Sequence, residues 1–251
     1  IVLTDLTETR QLQQRISHLQ RLSSMGKMVA SLAHQIRTPL SAAILYAQNL
    51  SQGMISPVKQ QRFSHKLLSR LHNLEQQVND MLLFAKSGEK PVLEELTTHS
   101  LLNTVASNVE SYAAQHHVNI VMPECGHSAV LKGNKTALTG ALQNLINNAI
   151  DASQAGQEVL VKTHVEGNNW CVSVIDAGAG IDKEKQTQIF TPFFTGKSNG
   201  TGLGLAVVQT VLRAHHGSID WESELGKGSR FTLSIPVHCF NEQPVSEVRY
   251  G

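Results

Sequence analysis

His34 lies in Ser31-Leu-Ala-His-Gln-Ile-Arg-Thr-Pro-Leu40, a stretch whose apolar residues recur at helical spacing, and three blocks of different character follow it. They are Asn144 and Asn148, four residues apart; Asp176-Ala-Gly-Ala-Gly180; and Gly200-Thr-Gly-Leu-Gly204. Imidazole has a reference pKa of about 6.5, so at neutral pH a wet histidine is mostly uncharged and carries a nucleophilic lone pair. Asparagine is a poor helix former, so two on one side of a helix suggest a task, and the amide oxygen suits a hard cation such as Mg²⁺. Val172-Ser-Val-Ile-Asp176 reads as a buried strand ending in a carboxylate. That group only accepts hydrogen bonds, which matches the exocyclic amine of adenine, and Gly178 and Gly180 let backbone approach a base closely. Gly200, Gly202 and Gly204 precede a helical pattern, where backbone N–H groups can gather around phosphates. The chemistry these groups suit together is movement of a phosphoryl group from a nucleotide to an imidazole.

In this order the four blocks resemble the H, N, G1 and G2 boxes of sensor histidine kinases, and the resemblance extends over residues 20–240. It implies a multidomain α and α+β chain. A helical hairpin would pair into a dimeric four-helix bundle, followed by an α/β sandwich of the GHKL type shared with gyrase, Hsp90 and MutL. It further implies that ATP and Mg²⁺ are bound, with Asn148 as metal ligand and Asn144 supporting the metal or the phosphates. Asp176, Gly178 and Gly180 would hold adenine. Gly200, Gly202 and Gly204 would hold phosphate, and Lys197 would pair with the terminal one. His34 would be autophosphorylated and would pass its group to an aspartate of a response-regulator receiver domain.

Two residues beside His34 refine this expectation. Related kinases usually carry Glu or Asp where this chain has Gln35. An amide can orient an imidazole but is far too weakly basic to take its proton. Thr38 stands where related kinases that also act as phosphatases carry Thr or Asn, so a phosphatase activity belongs to the expectation. The variant His34-Gln-Ile-Arg-Thr-Pro-Leu40 looks like that of flagellar-regulation sensor kinases paired with σ54-dependent response regulators.

The elements needed to position these groups are legible from periodicity. Leu12, Ile16, Leu19, Val29, Leu32, Ile36 and Leu40 mark one helical stripe. Leu67, Leu71, Leu74, Val78, Met81 and Ala85 follow a 4-3-4-3-4 rhythm, a coiled-coil seam. Turn chemistry at 51–57 joins the two, and Pro39 should bend the first helix. A hairpin with one sticky stripe cannot bury it alone, which argues for a homodimer. Ser87-Gly-Glu-Lys-Pro91 breaks the pattern, giving a helical domain at 1–88 with a coiled-coil lead-in at 1–22, a nucleotide-binding domain at 89–240 and a tail at 241–251. Helices are expected near 100–115, 134–155 and 203–215. Strands are expected near 118–122, 129–132, 158–166, 170–176, 218–222 and 229–236. Thr195–Gly204 reads as a lid, with Phe190, Phe193 and Phe194 anchoring its base.

Composition excludes other classes. With 251 residues, 41% hydrophobic content and a net charge of +1, the chain can bury real cores and offers no basic stripe for direct nucleic-acid binding. Three cysteines without CxxC spacing fit reduced thiols of a cytoplasmic protein, read here as filler. The histidine pairs 116/117 and 215/216, with His65 and His72, read as solvated faces. No run approaches the roughly 20 apolar residues of a membrane span. Gly196-Lys-Ser198 lacks the earlier glycine of a P-loop, since that position holds Thr191. Two rivals remain open: an ATPase of the gyrase, Hsp90 and MutL kind, against which the Asn144–Asp151 helix lacks a catalytic Glu, and a signalling scaffold with little kinase activity, which Gln35 supports.

Overall fold

The computed structural model describes residues 33, 35–51, 55–86, 93–123, 128–197 and 200–241. The expected lead-in at 1–22, His34, the turn residues 52–54, the boundary at 87–91, Cys125 and all but the first residue of the tail lie outside the described residues. The chain divides into two compact units. One lies within Ile1–Glu89 and Phe193–Leu203, the other within Lys90–Pro192 and Gly204–Gly251.

The first unit is built on α1, helical over residues 35–51, and α2, Pro57–Lys86. The helix runs through Pro39 even though proline offers no N–H to the carbonyl four residues back. Tyr46 of α1 stacks on Phe63 of α2, with ring centroids 5.9 Å apart, and Lys66 Nζ lies 5.7 Å from the Tyr46 ring. Ala43 and Phe84 are buried, whereas Leu40, Ile44, Leu45, Leu68, Leu71, Val78 and Leu82 are exposed in the single chain. Two positions of the expected seam, Leu71 and Val78, are thus solvent-facing in one copy. His65 and His72 are exposed on α2, as read from the sequence.

In the second unit one mixed sheet is covered by helices. Its strands are β1 (Glu94–Thr97), β2 (Asn119–Val121), β3 (Ser128–Gly133), β4 (Glu158–Glu166), β5 (Asn169–Asp176), β6 (Ser218–Glu224) and β7 (Gly228–Asn241). They are ordered β1-β3-β7-β5-β4-β2, with β6 also on β7. All pairings are antiparallel except β2 with β4. The helices are α3 (Thr98–His116), α4 (Lys135–Ala152), the one-turn α5 (Lys183–Gln186) and α6 (Gly204–Ala214). Alternation along β4 and β5 puts Val159, Val161, Trp170, Val172 and Val174 on one face, with Val161 opposite Val174, and Trp170, Val172 and Val174 opposite Ile235, Leu233 and Phe231 of β7. All of these are buried, Phe231 being the most accessible at 8%. The core sits between that face and α3, α4 and α6, and each large side chain in it contributes about 1.5–3 kcal/mol.

β1 and α5 were not expected from the sequence. Glu-Glu-Leu-Thr has no apolar alternation beyond Leu96, and it is a strand because Glu94–Thr97 pairs with Gly133–Val130. α5 is a single turn whose N-cap, Asp182, accepts from the N–H of Glu184 at 3.1 Å. The three expected helices of this unit are observed, with α4 ending three residues earlier than expected, at Ala152.

The 215/216 histidine pair is a correction. His215 is buried at 5% exposure, not solvated. Its Nδ1 donates to the Val211 carbonyl at 2.7 Å, and its Nε2 accepts from the backbone N–H of Asn134 at 2.9 Å. Asn134 is the N-cap of α4, its side chain accepting from Ala137 N–H at 2.9 Å. Both ring nitrogens are therefore committed in one neutral tautomer that ties α6 to the start of α4. Burial lowers the His215 pKa from its ordinary 6.5, the charge of His216 adds to this, and the Val211 bond opposes it. With the folded pKa depressed, the unfolded chain binds the extra proton first, so stability is full above about pH 6.5 and falls as pH drops through the folded value. Denaturant melts of the chain should lose stability from pH 7 to pH 5, and in His215→Leu, less stable overall, this dependence should flatten. An unchanged slope would show that His215 is not the group responsible.

Candidate functional site

α4 carries the two asparagines because its apolar residues Leu138, Ala141, Leu142, Leu145, Ile146, Ala149 and Ile150 face the core and fix its rotation. Asn144 is itself buried, at 6% exposure, and Asn148 one turn later is half-buried. α6 begins at Gly204, beside both amides. A Cβ there would stand 3.7 Å from Asn144 Cγ and 3.7 Å from Asn148 Nδ2. The start of α6, where backbone N–H groups lack helical partners, thus adjoins two amides on α4.

Asp176, the last residue of β5, is buried, and its Oδ1 accepts from the N–H of Gly178 at 2.9 Å and of Ser229 at 3.2 Å. These two bonds set the carboxylate's orientation before any ligand arrives. The turn that follows is tied to the end of α4, because Ala179 N–H donates to the Ala152 carbonyl at 3.2 Å. Gly178 is required there, since a Cβ would collide with the same carbonyl. Gly180 takes φ +67 against the backbone of Glu224, a conformation and a space that exclude a side chain. Phe190 packs edge-on against Trp221 at 4.9 Å.

Phe193–Leu203, which holds all but the last residue of the expected lid Thr195–Gly204, groups with the first unit. Phe193 has φ +68, donates its N–H to the Gly202 carbonyl at 2.8 Å and meets Phe84 edge-on at 6.2 Å. Within the same unit Gln35 Nε2 donates to the Gly200 carbonyl at 3.4 Å, while Gln35 Oε1 is buried with no hydrogen-bond partner among the described residues. Lys197 is exposed, and its backbone N–H donates to Thr195 Oγ1 at 3.1 Å. Thr38 is exposed on α1. Of the expected site residues, Asn144, Asn148 and Gly204 are thus neighbours, and Gly178, bonded to Asp176, lies against the C-terminal end of α4. Gly200, Gly202 and Lys197 lie in the lid segment.

Sequence reasoning missed Tyr112. Its hydroxyl donates to Asp151 Oδ1 at 2.6 Å, linking α3 to the last turn of α4. Burial first, then that bond and the Asp151 charge, push the phenol above its usual range, so it remains a neutral donor. Only the pairing of α3 with α4 brings the two together.

A model of the histidine kinase-, DNA gyrase B- and HSP90-like ATPase family matches residues 133–238, which include every candidate nucleotide residue above. A model of the His Kinase A phospho-acceptor domain matches residues 24–90, which include His34. This chain carries the paired domains of histidine kinases, a phospho-acceptor domain followed by a histidine kinase-like ATPase domain. Among its kinase relatives, the sensor protein kinase FleS of Pseudomonas aeruginosa is 44% identical over 242 residues, 94% of this chain and 58% of that one. The signal transduction histidine-protein kinase AtoS of Escherichia coli is 29% identical over 98% of this chain and 40% of its own. The chain therefore spans about half the length of these two kinases. The solved Acinetobacter baumannii histidine kinase AdeS superposes with a TM-score of 0.60 at 25% identity, over 82% of this chain and 98% of that one. Full-length ShkA in complex with AMPPNP does so with a TM-score of 0.60 at 27% identity, over 84% of this chain and 46% of that one. Among the described residues, no helix is long and apolar enough to cross a membrane.

Proposed function

We propose that this chain is the kinase core of a two-component system, which phosphorylates its own His34 from ATP and passes the group to an aspartate on a response-regulator receiver domain. The observation that carries this is the seating of Gly204 against Asn144 and Asn148, which sets a helix start beside two amides in a chain that also carries a phospho-acceptor domain match. The residues present fit a metal nucleotide. Two amide oxygens suit a hard cation, the pre-oriented Asp176 suits an adenine amine, and Gly204 leaves room beside the amides. The AMPPNP bound by the similar ShkA points the same way.

When bound, ATP with Mg²⁺ would supply the phosphoryl group and neutralise its charge. Asn148 is the residue assigned to hold the cation and Asn144 to support it. Asp176 would accept from the base, with Gly178 and Gly180 allowing its approach. Gly200, Gly202 and Gly204 would line the phosphates, and Lys197 would meet the terminal one. His34 offers a neutral imidazole nitrogen as acceptor, and such transfer depends mainly on positioning and charge neutralisation.

Dimerisation through the exposed α1 and α2 leucines, a cytoplasmic location and a phosphatase activity using Thr38 belong to the same proposal. The finer assignment to flagellar regulation rests on His34–Leu40 alone. Incubation with γ-labelled ATP should give an acid-labile, base-stable label that maps to His34. A chain that binds nucleotide but takes up no label is instead the signalling scaffold.

Gln35 favours a slow kinase. Its amide cannot accept the imidazole proton, so Gln35→Glu, which supplies a base, should raise the initial rate of labelling about tenfold, the low end of general-base effects. The gain should grow as pH rises through the carboxylate range. Equal rates in the two proteins across pH would show that the proton leaves by another route.

A further inference from the structure

The face of the sheet turned away from α3, α4 and α6 carries a group of side chains that the kinase reaction does not use. His164 and Glu166 are two residues apart on β4, so both project from this face. Cys171 of β5 is the direct cross-strand partner of His164. The connection between the strands is the two-residue turn Gly167-Asn168, with Gly167 at φ +58, a tight hairpin that fixes the register. The ligand atoms of His164, Glu166 and Cys171 all lie within 4.8 Å of one another, and His164 Nε2 is 3.9 Å from Glu166 Oε2.

We propose that these three side chains form a binding site for a borderline-soft divalent cation of the Zn²⁺ class. Imidazole, carboxylate and thiolate are the ligand types such an ion takes, at about 2.0–2.3 Å, which puts tetrahedral ligands roughly 3.3–3.8 Å apart. The observed group is therefore about 1 Å too open. The residues that must close it are the solvent-exposed ones, the side chains of His164 and Glu166 being 55% and 82% exposed. Cys171 is the fixed point, buried at 3%. Its Sγ lies 3.5 Å from Ser234 Oγ on β7, its cross-strand neighbour on the other side. That hydroxyl can donate to the sulfur once metal binding has displaced the thiol proton to solvent, the supporting contact that metal ligands ordinarily have. Three protein ligands leave a fourth position for water. The competing explanation is a surface His–Glu pair above a buried filler cysteine, and the titration below separates the two.

Co²⁺ titration of the reduced full chain tests this. One equivalent should bind with a thiolate-to-cobalt charge-transfer band in the near ultraviolet, and Zn²⁺ should displace it and raise the melting temperature. Cys171→Ser should abolish the band. His164→Ala and Glu166→Gln, both at exposed positions where folding is safe, should each weaken binding at least tenfold. The double variant Cys125→Ser, Cys239→Ser should leave the band unchanged. Absence of the band in the wild type overturns the proposal. So does a band that survives Cys171→Ser, or one that persists at full affinity in the His164→Ala, Glu166→Gln double variant. Labelling of His34 is not among these readouts, so the metal site stands or falls independently of the kinase.

Discussion

Label uptake from γ-labelled ATP should disappear in His34→Ala, by at least a thousandfold and to the limit of detection, while nucleotide affinity stays within about twofold of wild type. The first half follows from chemistry. No other side chain in the block from Ser31 to Leu40 is a comparable nucleophile: Ser31 and Thr38 carry unactivated hydroxyls and Gln35 a weakly basic amide. The second half follows from the composition of the candidate nucleotide site. Asn144, Asn148, Asp176, Gly178, Gly180 and Gly204 belong to the second unit and His34 to the first, so of the candidate nucleotide residues only Lys197, Gly200 and Gly202 share a unit with His34. Binding measured by fluorescent nucleotide and labelling measured on a gel therefore report different parts of the chain. A residual label in His34→Ala would move the acceptor elsewhere, and loss of binding would undo the separation of roles.

Asp176→Asn should weaken ATP binding on the order of a hundredfold with little change in melting temperature. The wild-type carboxylate is held through Oδ1 by the N–H groups of Gly178 and Ser229. An asparagine can keep both bonds with its own oxygen, which preserves the turn and forces its NH₂ into the place of Oδ2. An acceptor becomes a donor and faces the donating amine of adenine. Losing a hydrogen bond to a charged group costs about 1.5–3 kcal/mol, and opposing donors add to it. GTP, which presents a carbonyl at the equivalent ring position, should lose less, so the preference for ATP over GTP should narrow. Isothermal titration with both nucleotides measures this. Equal losses for the two would mean that Asp176 does not read the base.

What could be read in the chain without coordinates was local. Asn144 and Asn148 share a helix face whatever α4 packs against, because four residues make about one turn. Asp176 ends a strand because the apolar run of β5 stops there and glycine follows. The phenylalanines at 190, 193 and 194 could be seen, but not that Phe190 meets Trp221 and Phe193 meets Phe84. β1 was not, because its strand character comes from β3 rather than from its own side chains. The burial of His215 was hidden for the same reason. Its neighbour His216 is exposed, and nothing within the pair distinguishes the ring that reaches Asn134, 81 residues away.

The sequence alone determined which groups exist and which of them lie one turn or two strand residues apart, and hence the family and the order of its two domains. Only the tertiary structure decided which groups meet. It set Gly204 against both asparagines, oriented the Asp176 carboxylate with the Ser229 amide, tied Tyr112 to Asp151 and brought His164, Glu166 and Cys171 within reach of one ion. The physical reason is range. Helix and strand periods are set by backbone geometry over a few residues. Long-range contacts depend on register and packing, which are settled by burying the core around Trp170, Val172 and Leu233 as a whole.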